Sequence, residues 1–165
     1  MIKLISLLLL IFSMNTQAGN ELILSREIVI DYQQPVKIGH FSNMLYIKYN
    51  SWDFSHELVN PKKIYETIDL TGMEHEYIRS LFDLSVRKQF PIWLNELSKE
   101  QAESFAINND KYVHKNIASA ELYGAFDEKS NKGNIFIIES SQIHHLTVSG
   151  EEEKFLNLIN SIRSK

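Results

Sequence analysis

Histidine is the side chain that most often ligates a metal or moves a proton near neutral pH, and this chain has six, at positions 40, 56, 75, 114, 144 and 145. Glu74-His75-Glu76-Tyr77-Ile78-Arg79 comes nearest to the helical histidine pair that binds zinc. It fails at the fourth residue after His75, where Arg79 stands. Glu76 and Arg79 read instead as a solvated pair at three-residue spacing. His144-His145 falls in a strand-like run, so the two rings point to opposite faces of a sheet and cannot chelate one ion together. His144 shares parity with Leu146 and Val148, and His145 with Ile143 and Thr147.

Asp53-Phe54-Ser55-His56-Glu57 places acid, hydroxyl and imidazole side by side. A nucleophile, its base and an orienting group must converge in space, which sequence neighbours rarely do, and no Gly-x-Ser-x-Gly elbow exists. Asp53 and Ser55 are expected to serve a turn. The six glycines are isolated, so no glycine-rich phosphate loop exists, and the absence of cysteine excludes thiol chemistry. No catalytic residue, metal ligand or cofactor is assigned. Aromatics carry the remaining signal. Tyr46, Tyr49, Trp52 and Phe54 crowd one strand and its exit with apolar side chains on both parities, so some line either a core or a contact surface. Tyr46, Tyr49, Trp52, His144 and His145 are the candidate binding residues.

The elements that must position them follow from periodicity. Glu21 to Tyr32 alternates like one strand, Val36 to Gly39 like a short edge strand, and Asn43 to Trp52 like a third. Asn60-Pro61 predicts a helix start. Thr71 with Glu74, Ser98 with Gln101 and Ser149 with Glu152 match the capping box. Met73, Tyr77, Ile78, Leu81, Phe82 and Leu84 recur at helical spacing; Pro91 is expected to kink or restart that helix, with Ile92, Trp93, Leu94 and Leu97 beyond it. The Ser98 box predicts a separate short helix ending near Phe105, and residues 108–110 close the helical region. Ile117 to Phe126 and Asn134 to Glu139 read as strands around a polar loop at 127–133, and Gln142 to Val148 as one more. Phe155, Leu158, Ile159 and Ile162 stripe a terminal helix, with Glu151, Glu152 and Glu153 at its start as dipole stabilisers rather than a cation site. The pattern predicts an α+β chain. Its antiparallel sheet has about five to six strands, with a central helical region and a C-terminal amphipathic helix packed on it.

Residues 1–18 read as a signal peptide, with Lys3 before the apolar run Leu4 to Phe12 and small residues at Thr16-Gln17-Ala18. Such a run is too short to span a bilayer, which takes roughly twenty residues. The expectation is export to a bacterial periplasm, cleavage, no stable membrane span and a single domain over 19–165. Without Lys3 the balance is 16 basic to 21 acidic side chains, a net of −5, which excludes a nucleic-acid footprint. A small, exported, motif-poor chain fits a non-enzymatic protein-binding module. Its partner is expected to be a membrane-anchored sensor's external domain, which it assists, or a periplasmic toxin that it neutralises. The alternative is a carrier or sensor of an apolar small molecule, lipid or bile-salt-like, held between sheet and helices. A metal-assisted hydrolase comes last.

Overall fold

The computed structural model describes residues 20–62, 64, 68–107 and 111–165. The expected signal segment and the expected break at 108–110 lie outside the described residues. The strands are β1 (Asn20–Ile23), β2 (Ile28–Tyr32), β3 (Lys37–Phe41), β4 (Met44–Lys48), β5 (Asp53–Leu58), β6 (Val113–Ile117), β7 (Ala120–Asp127), β8 (Lys132–Ile138), β9 (Ile143–Ser149) and β10 (Ile162–Ser164). The helices are α1 (Glu74–Phe82), α2 (Leu84–Arg87), α3 (Ile92–Ser104) and α4 (Glu152–Ser161).

The α+β class holds, with a larger sheet than expected. Seven antiparallel strands run in the order β3-β4-β5-β9-β8-β7-β6, and a second sheet orders β1-β2-β10. Two meanders, β3 to β5 and β6 to β9, join where β5 pairs with β9, and the three central helices lie between them in sequence. Helix and small sheet cover the rear face of the large sheet: Ile28 and Ile30 of β2 and Phe155, Leu158 and Ile159 of α4 bury against Phe54, Leu122, Ile135, Leu146 and Val148. On the front face Tyr77, Ile78, Leu81 and Phe82 of α1, with Leu94 and Ala102 of α3, bury against Tyr123, Phe136, Ile138 and Ile143. Two-sided burial explains why the central strands are apolar on both parities.

Several boundaries differ from the sequence expectation. Glu21 to Tyr32 is a hairpin rather than one strand: the Ser25 hydroxyl accepts from the backbone amides of Glu27 and Ile28 and turns the chain. Asn43 to Trp52 holds β4 and the turn after it, and Asp53–Leu58 is itself a strand, so Asp53 and Ser55 serve no turn. Pro61 and Lys62 form a turn rather than a first helical turn, with Asn60 Oδ1 accepting from the Lys62 amide. None of the three capping boxes forms. Thr71 is held by Asp69 instead, Ser149 lies in β9, and Ser98 sits inside a continuous α3 with its hydroxyl 2.6 Å from that of Ser80. Pro91 does restart the helix, and the stripes Tyr77-Ile78-Leu81-Phe82 and Phe155-Leu158-Ile159-Ile162 are buried as expected. Ile117 to Phe126 holds the end of β6, a turn at Ala118 with φ 52°, and most of β7, so the expected single strand is part of a second hairpin.

Candidate functional site

The strand pair β5/β9 stands at the middle of the large sheet, and its register sets Glu57 opposite His145 and Leu58 opposite His144. Alternation then sends neighbouring side chains to opposite faces, as the sequence implied for the two histidines. The result is two polar constellations back to back.

Behind the sheet, His144 is fully buried beside Leu146 and Val148, with which it shares parity. Its Nδ1 lies 2.9 Å from Nε2 of His56, and the rings stack with centroids 5.1 Å apart. Its Nε2 faces Glu139 Oε2 at 3.4 Å. The same carboxylate accepts from Gln142 Nε2 at 2.9 Å and, through its other oxygen, from Ser25 Oγ at 2.5 Å. Burial pushes His56 down to about 4, helped by its neighbour His144, and burial likewise lowers His144 against the opposing pull of Glu139. Burial alone would raise Glu139, but the hydrogen bonds from Ser25, Gln142 and His144 outweigh it and hold the carboxyl below its usual range. Neutral rings and an ionised carboxylate fix one direction of donation: His56 Nε2–H to His144 Nδ1, then His144 Nε2–H to Glu139. On the front, the His75 ring donates to the Glu139 backbone carbonyl at 2.7 Å, tying α1 to the β8–β9 turn, so His75 is an anchor.

In front of the sheet, His145 stacks on Phe136 with centroids 4.4 Å apart and a 4° interplanar angle. Its Nε2 lies 3.1 Å from Asn134 Oδ1, and its Nδ1 lies 3.6 Å from Glu57 Oε1. The hydrogen bond from His145 holds Glu57 below the usual carboxylate range despite partial burial. This pair opens onto a cavity of about 230 Å³ between the sheet and the helices α1 and α3.

The other candidates sit elsewhere. Tyr49 and Trp52 stack at 4.3 Å and 8° beside Phe54, at the edge of the rear core, where a hollow of about 190 Å³ opens among Asp31, Lys154 and Asn157. Burial pushes the Tyr49 hydroxyl up to about 12, so it stays protonated. Tyr46 lies on the front face between Gly39 and Ser55; burial first, then the nearby Asp53 carboxylate, raises its hydroxyl. Of the five predicted residues, only Tyr49 and Trp52 meet. His56 and Glu57 stand in the 53–57 cluster weighed from sequence, but their pairing with His144 and His145 was missed, and so was Glu139. The Ser140-Ser141 turn between two apolar runs was the available signal for Glu139, since a tight hairpin there folds it back toward His144.

No family model matches the sequence, and neither a curated protein nor a solved structure matches it. Among the described residues no group of three or more histidine and acidic side chains is arranged to hold a metal ion. The rear relay can orient imidazoles and hold a proton. Phe105 and Phe136 beside an ionised carboxylate give the front cavity the means to receive a ligand.

Proposed function

We propose that the chain is an exported, non-enzymatic module of the bacterial periplasm that binds a protein partner along the outer edge of β3, which pairs with no other strand among the described residues. The observation that carries this reading is the contrast between the two ends of the large sheet. At the β3 end, Val36, Ile38 and Phe41 are exposed at 65%, 53% and 55%. At the β6 end the strand carries His114, Lys115 and Asn116, and the Lys115 ammonium donates to the Ile159 carbonyl of α4. Polar and charged residues are how proteins blunt an edge; β3 carries Lys37 and His40, but its exposed Ile38 and Phe41 still offer side-chain contacts, beside the edge's backbone groups, to an added strand. The occupant is an extended segment of another protein, belonging to a membrane-anchored sensor or to a toxin. The sequence of the captured chain distinguishes those two.

The apolar run of residues 4–12 supports export, and no helix among the described residues is long and apolar enough to cross a membrane. The test is native mass spectrometry of the protein purified gently from the periplasm of its own host. The reading requires a co-purifying protein at fixed stoichiometry and a mature chain beginning at Gly19. It further requires loss of that partner in Ile38→Lys with an unchanged unfolding midpoint. A partner retained by Ile38→Lys and by Phe41→Glu overturns the edge-strand reading.

A further inference from the structure

The front cavity carries an inference independent of the β3 edge. Its polar end is the Glu57 carboxylate, and its walls are Phe105, Phe136 and Ile78. No lysine or arginine lines it among the described residues, and Glu57 is the one carboxylate among its lining residues. Gln101 of α3 also reaches it; its Oε1 accepts from the Tyr77 hydroxyl at 2.7 Å and keeps a second lone pair that an ammonium could use. We propose that this cavity is a binding site for a small organic cation, a primary amine on a short apolar or single-ring stem.

A neutral apolar guest would strip water from an ionised carboxylate without replacing it, whereas an ammonium supplies a charge-assisted hydrogen bond. Phe136 is stacked by His145, and the partly buried Phe105 is the aromatic wall with ring surface left for a cation. The cavity, at about 230 Å³, is smaller than the roughly 300–1,000 Å³ typical of drug-sized ligands, so a lipid or bile-salt body does not fit. A site for a small amine differs in its ligand from the lipid or bile-salt carrier expected from the sequence. Glu57 reaches solvent with 41% of its side chain exposed, which gives the ammonium a path in.

The experiment is titration of the purified mature protein, followed by calorimetry and by amide chemical shifts, with phenethylamine, butylamine, the neutral isostere phenethyl alcohol and the anion hydrocinnamate. The expected result is saturable one-to-one binding of both amines, with shifts centred on Glu57 and the Gln101 side-chain amide. The alcohol should bind at least about tenfold more weakly and hydrocinnamate not at all, and Glu57→Gln should cost the amines about tenfold. Equal affinity for amine and alcohol overturns the proposal, as do undiminished amine binding in Glu57→Gln and absence of saturation with either amine. If Glu57→Gln does not fold, the comparison of amine with alcohol on the unaltered protein decides alone.

Discussion

Two imidazoles 2.9 Å apart cannot both be charged cheaply, and the rear relay therefore makes the protein acid-sensitive. His56 titrates near 6.5 when unfolded and about 4 when folded. Above 6.5 both states are neutral at this site and nothing is lost. Between 6.5 and 4 the unfolded chain takes up a proton that the folded chain refuses, so stability falls with pH across that window and levels off below it. His144 adds to the loss with the same sign. Glu139, whose folded value is depressed, contributes a second fall at lower pH, as the carboxylate is finally protonated. The His56 limb is expected to be worth about 2 kcal/mol, reduced from its full value because the ring is partly solvated. His56→Gln keeps a donor for His144 Nδ1 without the titration. Urea unfolding of that variant should show a flatter limb between pH 6.5 and 4 and an unchanged fall below it; an identical limb in both proteins refutes the assignment. The opposed directions of His144 and His145 were legible in the sequence, because alternation alone decides them. Their partners were not. Glu57 meets His145 only through the register of two strands 88 residues apart in sequence, a pairing that no local pattern encodes.

Glycine placement governs how α4 seats on the sheet. A β-carbon at Gly133 would lie 2.3 Å from the Phe155 ring, and one at Gly124 would lie 2.8 Å from Ile159 Cδ1. Both glycines serve as the floor for α4, so Gly133→Ala is overpacked and should lose about 1–3 kcal/mol, read as a lowered Tm. Adding Phe155→Leu frees the ring's space and should recover part of that loss; a double variant as unstable as the sum of the two singles would place the strain elsewhere. Helix identity was readable from the stripes Tyr77-Ile78-Leu81-Phe82 and Phe155-Leu158-Ile159, since burial enforces their period. Helix starts were not, because a capping box is only a competition among hydrogen bonds. Asp69 wins Thr71, and Ser80 meets Ser98 inside the helix. Turns at Ser25 and Ala118 are not legible in the sequence because neither contains glycine or proline and apolar residues resume at strand spacing beyond each.

Across the whole molecule, β10 pairs with β2 and brings the last residues against the first described ones. Ile162 is buried in the rear core, while Arg163 reaches Asp31 and Glu21 at the surface and the Lys165 amide donates to the Glu27 carbonyl. Deleting 163–165 removes only exposed ion pairs and terminal backbone bonds and should cost about 1 kcal/mol or less. Deleting 162–165 also removes a buried isoleucine and a carbonyl that faces the Lys115 ammonium at 3.5 Å, and should cost about 2–5 kcal/mol. Equal losses in the two truncations, by calorimetry, would place the stability of this corner outside Ile162. Antiparallel class and overall helix placement were legible from the order of periods along the chain. The split into two sheets was not, because it depends on the last three-residue strand finding the second.

That closure also sets a clock. Synthesis delivers the chain from its amino end, so β2 emerges early with one neighbour, β1, and waits for a second until nearly every other residue has appeared. Through that interval Ile28 and Ile30 have neither α4 nor β10 to cover them, and the rear core cannot close on a partial chain. A small sheet whose outer strand is made more than a hundred residues after its neighbour gains its last core contact, Ile162, only near the end of synthesis.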